Sequence, residues 1–343
     1  MKWTVEQIPA LRGFQIEYAA PGNYYLSRRN RLYRAADLSK SPESFAVIDA
    51  PAWKQMFARL RPFQRLLRFM ATNVMPLANG DLFVTFDKSV GVVRAGKYQT
   101  LGGLNRPCRV LRSACAVDAS GDVFFGEYLA NDERGAMHVY KYAAGADSLE
   151  IVYTFPPDSI KHVHGIYFDS LTGALFCLTG DKESECQILR TTDHFKTIEI
   201  VGSGDETWRA VSVLFDEKFF YYGTDAEFRA NNIYQVNRET LERTDLGEVS
   251  GTVFYSQKVG DDLFFATTAE NAPSQTENVA ALWHVGADKK CEKLISFPKD
   301  GWHPTLFMFG TIHFPCISKL DDELYFHLVG VKGDHQTYRI FRS

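Results

Sequence analysis

The chain has 343 residues, of which 45% are hydrophobic and 23% charged, and its 38 Lys and Arg against 42 Asp and Glu give a net charge of −4. This is the composition of a folded globular protein, and it excludes recruitment of nucleic acid by a global basic field. The sequence has no run of about 18 apolar residues that would span a membrane. Its first residues also lack the apolar stretch of a secretory signal, so we expect a cytoplasmic protein.

A short strand, a turn with Asp, Asn or Gly, and an aromatic-rich second strand recur along the chain. The second strands are predicted to begin near Tyr24, Leu82, Val123, Leu175, Phe219, Leu263 and Leu324. Seven units in 343 residues average about 49 residues each, the length of a four-stranded propeller blade. We therefore expect an all-β fold, a single β-propeller domain over residues 1–343. Seven blades are preferred, six are the alternative, and strands from both termini are expected to close one blade.

The segment 52–72 lies outside this repeat and is predicted to be a short helical insertion. Trp53, Met56, Phe57 and Leu60 recur at helical spacing before a proline interrupts the pattern. The segment has no acidic residue, and its basic residues are Lys54, Arg59, Arg61, Arg65 and Arg68. A basic amphipathic stretch can lie on an anionic membrane, which gives the inner membrane surface as one predicted location. The alternative is a helix packed on the propeller with its arginines in water.

The string TTDHFKTI at 191–198 resembles the Asp-box (BNR) hairpin of sialidase-like propellers, Ser/Thr-x-Asp-x-Gly-x-Thr-Trp. Thr191, Asp193 and Thr197 match this pattern, whereas Phe195 and Ile198 replace its Gly and Trp. The strings GEY, HVHGI, LTGD, WRA and TD also resemble uncharacterised bacterial sialidase-like propellers associated with surface-polysaccharide genes. The resemblance implies the propeller fold. It does not supply, residue by residue, the three arginines, Tyr–Glu pair and Asp acid of sialidases.

Polar residues are predicted to converge around one mouth of the propeller channel. The innermost strand of each blade starts at the end of the channel where the second strand stops. The second strands end at Glu127, Asp181, Asp225 and Glu270. The innermost strands start at Arg112, His162, His164 and Arg209. His162 and His164 are two residues apart, so on a regular strand they share a face.

These residue types suit an enzyme that cleaves an acidic polysaccharide or oligosaccharide. Paired carboxyl groups supply a general acid and a nucleophile or base, and histidines exchange protons near neutrality. The catalytic candidates are therefore Glu127, His162, His164, Asp181, Asp225 and Glu270. Arg112 and Arg209 would bind the anionic group of the sugar, and Tyr128 and Trp208 would stack on sugar rings. A glycoside hydrolase and a polysaccharide lyase are equally compatible with this set.

Two other interpretations stay open. A non-catalytic propeller in a polysaccharide assembly system would bind glycan or protein at the same mouth. The enzyme hypothesis requires no cofactor, but a divalent metal at His162 and His164 is an alternative, with Glu127, His303 or His313 completing the site. An acidic residue in a turn commonly binds only backbone N–H groups. Each of the predicted acidic residues therefore also has a purely structural interpretation.

Overall fold

The protein is a seven-bladed β-propeller, described over residues 3–342 by a computed structural model. Each blade is an antiparallel sheet, and the innermost strands of neighbouring blades contact one another around a central channel. The all-β propeller with seven blades was predicted correctly. Among the described residues, no helix has the length and apolar character needed to cross a membrane.

The first three blades run in chain order from the innermost to the outermost strand. The first strand of the chain, which belongs to the last blade, is β1 (Trp3–Gln7). Blade 1 contains β2 (Gln15–Ala20), β3 (Asn23–Arg28), β4 (Arg31–Ala35) and β5 (Glu43–Val47). Blade 2 contains β6 (Ala71–Pro76), β7 (Leu82–Phe86), β8 (Ser89–Arg94) and β9 (Lys97–Thr100). Blade 3 contains β10 (Ala116–Val117), β11 (Val123–Gly126), β12 (Met137–Tyr142) and β13 (Glu150–Phe155).

Blades 4 to 6 repeat the same order. Blade 4 contains β14 (His162–Asp169), β15 (Ala174–Gly180), β16 (Gln187–Thr191) and β17 (Glu199–Ser203). Blade 5 contains β18 (Ala210–Phe215), β19 (Phe219–Thr224), β20 (Asn231–Asn237) and β21 (Arg243–Val249). Blade 6 contains β22 (Val253–Val259), β23 (Asp262–Thr267), β24 (Val279–Val285) and β25 (Cys291–Pro298).

Blade 7 is built from both ends of the chain. Its strands begin with β26 (Thr311–His313), and β27 (Ile317–Ser318) then leaves to pair in parallel with β2 of blade 1. The blade continues with β28 (Glu323–Val329) and β29 (Thr337–Arg342), and β1 is its outermost strand. The register of this pairing runs from Trp3 opposite Arg342 to Gln7 opposite Tyr338. The closure of one blade by both termini is thus confirmed.

The second strand of each blade carries aromatic residues, as the repeat predicted. All seven begin within one residue of the predicted position. Their aromatic side chains fill the space between blades. The ring centroids of Phe83 in blade 2 and Phe125 in blade 3, for example, lie 5.8 Å apart, and both rings are fully buried. Burial of such rings is the main contribution to the stability of a sheet-on-sheet core.

The Asp-box-like string forms a hairpin between β16 and β17, the third and fourth strands of blade 4. The carboxylate of Asp193 accepts hydrogen bonds from the backbone N–H of Thr197 at 2.9 Å and from its hydroxyl at 2.8 Å. The hydroxyl of Thr191 accepts from the N–H of Phe195, whose ring is buried. The string therefore stabilises a blade and lies away from the channel mouth.

A bulge interrupts the innermost strand of five blades near its start. The pairing of β14 with β15 shifts register between Val163 and Gly165, which leaves His164 as the extra residue. Equivalent shifts leave Glu17, Thr72 and Phe254 unpaired in blades 1, 2 and 6, and blade 5 has a shift between Ala210 and Val213. A bulge re-aims the side chain of its extra residue. His164, Thr72 and Phe254 all face the cavities at the mouth.

The predicted helical insertion contains two short helices, α1 (Ala52–Phe57) and α2 (Arg61–Leu66), between β5 and β6. Pro62 stands at the start of α2, where its missing N–H is not needed. Lys54, Arg61 and Arg65 form ion pairs with the propeller body. The predicted apolar stripe of Trp53, Met56, Phe57 and Leu60 is exposed. This is the reverse of a helix packed by its apolar stripe with its arginines in water. A third helix, α3 (Pro304–Phe307), packs against α2.

Candidate functional site

A polar cavity of about 370 Å³ opens at the channel mouth between blades 3, 4, 5 and 6. Seven of the predicted residues line it, namely Tyr128, His162, His164, Asp181, Arg209, Asp225 and Glu270. A second cavity of about 250 Å³ adjoins it, because Leu111, Tyr128, Phe254 and Phe309 line both. The expected convergence at one mouth is therefore present for these seven side chains.

The two histidines point the same edge of their rings at Asp181. Nε2 of His162 lies 3.5 Å from Oδ1 of Asp181, and Nε2 of His164 lies 3.8 Å from the same oxygen. Nδ1 of His162 lies 3.2 Å from the carbonyl oxygen of Leu129, and Nδ1 of His164 lies 2.9 Å from that of Ala210. Burial lowers the pKa of His164 to about 4, so its imidazole is neutral at pH 7.

Asp181 is a carboxylate held between two cations. Nζ of Lys161 lies 2.9 Å from Oδ2 of Asp181, and Nη2 of Arg209 lies 3.2 Å from Oδ1. The residue has a φ of 111°, a conformation that side chains other than glycine rarely adopt. Backbone strain of this kind accumulates at functional sites.

Arg209 links the carboxylates of blades 4 and 5. Its Nε donates to Oδ2 of Asp225 at 3.0 Å, and its Nη2 lies 3.2 Å from Oδ1 of Asp181. A third carboxylate, Glu227, lies 3.9 Å from Nη1. One guanidinium is thus shared among three carboxyl groups, which limits how strongly it can hold any one of them in the ionised form.

Asp225 and Glu270 are carboxyl groups whose pKa values are raised above the usual range. Burial raises the pKa of Asp225 to about 8, because the opposing charge of Arg209 is offset by the negative charges of Glu270 and Asp181. Burial also raises the pKa of Glu270, although hydroxyl donors from Thr252 and Thr268 oppose the shift. Both side chains line the polar cavity.

Gly180, at the end of β15, allows the two blades to approach at the site. A Cβ at this position would lie 2.7 Å from Cε1 of His164 and 2.8 Å from Cγ of Arg209. Gly126 ends β11 and Gly223 is the residue before the end of β19, and a Cβ at these positions would overlap Val163 and Val253 of the next blade. The glycine that precedes each polar residue in GEY, TGD and GTD is therefore required by blade-to-blade contact.

The structure does not bring Glu127 to the cavity, which corrects its inclusion among the catalytic candidates. Its fully buried carboxylate accepts hydrogen bonds from Arg106 at 2.7 Å, from the backbone N–H of His138 at 3.1 Å and from the hydroxyl of Tyr140 at 3.0 Å. These partners belong to blade 3 and the segment before it. Glu127 therefore has a structural role. It was included among the candidates because its position at the end of a strand does not reveal the direction of its side chain.

Arg112, predicted as a substrate ligand, contributes to the wall of the second cavity but is held in an ion pair. Its side chain is 2% exposed, and its Nη2 lies 2.7 Å from Oε2 of Glu17. It also donates to the carbonyl oxygen of Phe314. The charge of the guanidinium is therefore paired with Glu17 inside the propeller, and Nη1 has no hydrogen-bond partner among the described residues.

Trp208 is not an open aromatic face for a sugar ring. It stacks on Tyr222 with ring centroids 5.9 Å apart, and the guanidinium of Arg243 lies 4.3 Å from its ring centroid. A Cβ on Gly202 would overlap its ring. Tyr128, in contrast, lies at the cavity with its ring centroid 4.2 Å from that of His162.

Neither His303 nor His313 completes a site with the two histidines of β14. His303 is exposed just before α3, and His313 is buried between Thr311 and Gln15 beside the second cavity. The group that could hold a metal ion consists instead of His162, His164 and Asp181, whose ligand atoms lie within 4.8 Å of one another.

Sequence reasoning missed several cations at the mouth. Lys161 precedes the His-x-His pair and was overlooked as a flanking residue. Arg68 and Arg109 line the second cavity, where burial lowers the pKa of Arg68 and the nearby charge of Arg109 adds to the effect. Arg109 lies 3.6 Å from Asp87. Arg68 comes from the helical insertion, and no local signal in the sequence indicates that this segment reaches the mouth.

The propeller is similar to solved structures of low sequence identity. An oligogalacturonate lyase in complex with manganese gives a TM-score of 0.61 at 8% identity, with 99% of this chain and 96% of that chain covered. A chain of the mitotic checkpoint complex gives 0.59 at 12% identity, covering 99% and 93%. The extracellular domain of a putative one-component system from B. thetaiotaomicron gives 0.58 at 11% identity, covering 99% of this chain and 40% of that one. Identities this low show the fold alone.

No protein-family model matches the sequence, and no curated protein matches it either. The comparisons thus show the propeller fold, and the function has to be argued from the site.

Proposed function

We propose that the protein is a carbohydrate-active enzyme that cleaves an acidic polysaccharide or oligosaccharide in the cavity at the channel mouth. The observation that carries this proposal is the placement of Asp225 and Glu270, two carboxyl groups of raised pKa, in one cavity with Arg209. Carboxyl groups that hold a proton near neutrality are suited to general acid and base catalysis.

The cations at the mouth favour an anionic substrate. Arg209 and Lys161 line the polar cavity, and Arg68 and Arg109 line the second cavity. Guanidinium groups bind carboxylates and sulfates through charge-assisted hydrogen bonds. An acidic sugar chain that crosses from one cavity to the other would meet a cation in each, with Tyr128 available between them as a ring-stacking surface.

The same residues serve two bond-breaking reactions. In hydrolysis, the protonated carboxyl group donates its proton to the glycosidic oxygen while the ionised one accepts a proton from the attacking water. In β-elimination, the ionised group removes the proton on the carbon next to the sugar carboxylate, and the glycosidic oxygen leaves with a proton from the other group. Elimination leaves a carbon–carbon double bond in the product, whereas hydrolysis does not.

One of the structural neighbours has a name of the same chemical class. The oligogalacturonate lyase is named for an acidic sugar oligomer, and it shares the propeller over nearly its whole length. The other two neighbours described above are not named as carbohydrate enzymes. The comparison supports the proposal as an analogy of fold, and the side chains of the cavity remain its basis.

The test is an assay of the purified protein against a panel of acidic bacterial polysaccharides and pectic oligosaccharides. New reducing ends and the ultraviolet absorbance of unsaturated uronate would be followed together. Reducing ends alone indicate hydrolysis, and both signals together indicate elimination. Glu270→Gln should lower turnover by at least about 100-fold, since general acid–base catalysis typically contributes a factor of this size or more.

Glu277→Gln is the matched control, because Glu277 is exposed and pairs with Lys293 outside the cavity. Its turnover should equal that of the unchanged protein. Turnover that survives in both Glu270→Gln and Asp225→Asn would place the chemistry elsewhere. Retention of acidic glycans without cleavage of any panel member would overturn the proposal in favour of a non-catalytic glycan-binding propeller.

A further inference from the structure

Three lone-pair-bearing atoms converge in blade 4 on a point beside the cavity. A carbonyl oxygen only accepts hydrogen bonds, so the contacts of Nδ1 with Leu129 and Ala210 place the proton of each imidazole on Nδ1. Nε2 of His162 and Nε2 of His164 then present their lone pairs to the carboxylate of Asp181, at 3.5 and 3.8 Å.

This arrangement is electrostatically unfavourable without a cation between the three groups. A neutral Nε2 cannot donate to a carboxylate, so in this tautomer neither ring offers Asp181 a hydrogen bond. Lys161 and Arg209 compensate the charge of Asp181. Backbone hydrogen bonds that fix Nδ1 and aim Nε2 are the usual outer support of histidine metal ligands.

We propose that His162, His164 and Asp181 bind one divalent transition-metal ion through the two Nε2 atoms and a carboxylate oxygen. The three ligand atoms lie within 4.8 Å of one another, and bonds of about 2.0–2.2 Å to a shared ion require only small side-chain movements. Two imidazoles and one carboxylate suit Mn²⁺, Fe²⁺ or Zn²⁺. The remaining coordination positions face the polar cavity, where an anionic oxygen of a ligand can occupy them.

The metal site stands on its own geometry and does not require the protein to be an enzyme. It adds to the proposed function by identifying a further group that attracts a sugar carboxylate. Metal binding can be measured without any glycan, so the two proposals can fail separately. Metal content without glycan cleavage would count against the proposed enzyme and leave the metal site in place.

The test begins with protein dialysed against a chelator and then against Mn²⁺ or Zn²⁺. The unchanged protein should retain one metal ion per chain after desalting, and its melting temperature should rise with added metal, since a ligand of the folded state stabilises it. His164→Gln and His162→Gln should each lose the bound metal and the thermal shift. Circular dichroism verifies that each variant is folded.

His194→Gln is the matched control, because Nε2 of His194 lies 3.2 Å from Oδ2 of Asp118 with no second imidazole beside it. It should bind metal like the unchanged protein. Absence of metal from the unchanged protein, or equal retention by folded His162→Gln and His164→Gln, would overturn the proposal.

The helical insertion, whose Arg68 lines the second cavity, carries a separate observation, an exposed apolar patch. The segment 53–66 presents Trp53, Met56, Phe57, Leu60, Phe63 and Leu66, and Leu60 is 61% exposed. The rings of Phe57 and Phe63 lie 5.5 Å apart, so the patch is continuous between α1 and α2. Trp302 and Leu306, beside the adjoining α3, extend it.

Several cations in and near this segment of the chain have no carboxylate partner. Within residues 3–342, no carboxylate lies within 4.0 Å of Arg12, Arg28, Arg29, Arg31, Arg59 or Lys88. These side chains are exposed or half-buried, and the charges of Arg28, Arg59 and Arg31 lower the pKa of Arg29 after burial, which shows that the four lie together. Protruding apolar side chains with a basic rim match an anionic bilayer surface, where rings enter the interface and arginines contact the headgroups.

We infer that this patch docks the propeller on an anionic lipid surface. The lipid surface is favoured over a second copy of the chain because like-charged rims would repel each other in a symmetric pair. Docking through this face would turn the channel mouth toward the membrane.

The probe is phosphatidylcholine vesicles with and without phosphatidylserine, in a sedimentation assay at physiological salt. The protein should sediment only with the anionic vesicles, and Leu60→Ser combined with Phe63→Ser should abolish binding. Leu171→Ser, an exposed leucine in the turn between β14 and β15 at the opposite end of the blade, should leave binding unchanged. Equal binding of the double variant, or concentration-dependent dimers in ultracentrifugation with no vesicle binding, would overturn the inference.

Discussion

Arg112 and Glu17 form an ion pair across the interior of the propeller, with Nη2 and Oε2 2.7 Å apart and both side chains almost completely buried. Glu17 is the extra residue of the bulge in β2, and Arg112 lies just before β10. Because Arg112 also donates to the carbonyl oxygen of Phe314, the pair ties blades 1, 3 and 7 together. The pair therefore stabilises the packing of these three blades.

Removing one partner of this pair should destabilise the protein strongly. Arg112→Met leaves the carboxylate of Glu17 buried without its cation, and we expect the free energy of unfolding to fall by about 3–5 kcal/mol. Arg34→Met should change it by about 0–1 kcal/mol, because the pair of Arg34 with Glu43 is solvent-exposed. Denaturant unfolding measures both values. A fully stable Arg112→Met that has lost affinity for acidic glycan would instead return Arg112 to the ligand-binding residues.

Gly180→Ala should disturb the site directly. The added methyl group would lie 2.7 Å from Cε1 of His164 and 2.8 Å from Cγ of Arg209, and overpacking of this kind costs about 1–3 kcal/mol. We expect lower stability in denaturant unfolding and a loss of metal retention, because His164 has to move. Gly301→Ala is the control, since a Cβ there meets no atom within 4 Å. Unchanged stability and metal content in Gly180→Ala would mean that the close approach is not needed.

The raised pKa of Asp225 predicts a pH dependence of stability with a definite sign. In the unfolded chain this carboxyl group ionises near pH 4, whereas in the folded protein its pKa is about 8. Between about pH 4 and pH 8, the carboxyl group of Asp225 therefore carries a proton in the folded state but not in the unfolded state. The contribution of Asp225 to stability is complete below about pH 4 and is lost as the pH rises toward 8.

The variant Asp225→Asn removes this titration. Its melting temperature relative to the unchanged protein should increase steadily from pH 5 to pH 8, and differential scanning calorimetry at several pH values measures the difference. Asp288→Asn, at an exposed aspartate, should show a difference that does not change with pH. A pH-independent difference for Asp225→Asn would mean that Arg209 keeps the carboxylate ionised in the folded state.

The fold was accessible from the sequence because the repeat signal is local. Each second strand combines aromatic residues with a preceding Asp, Asn or Gly turn, and both features act within one hairpin, so Leu82, Val123 and Phe219 were placed without error. The closure of the last blade was predicted because the repeat pattern is weak at both ends of the chain. In the structure, β1 from one end pairs with β29 from the other.

The site was only partly accessible, for a geometric reason. Strand-end position brought Asp181, Asp225 and Glu270 to the mouth but could not distinguish them from Glu127, whose side chain turns into blade 3. The orientation of His164 depends on a bulge, which adds one residue without a sequence signature strong enough to predict it. Arg68 reaches the mouth from a helical insertion 40 residues or so before the nearest predicted site residue, and only the tertiary fold shows this.

The most direct test of the central claim, that the mouth binds acidic glycan, is a calorimetric titration of an acidic oligosaccharide into three proteins. These are the unchanged protein, Arg68→Gln and Arg59→Gln. Arg68 lines the second cavity, whereas Arg59 belongs to the same segment but is exposed outside the cavities. A hydrogen bond to a charged group contributes about 1.5–3 kcal/mol, so Arg68→Gln should weaken binding by about tenfold or more, and Arg59→Gln should not. Equal affinity in all three proteins, or no binding by any of them, would contradict the assignment of the mouth as the glycan site.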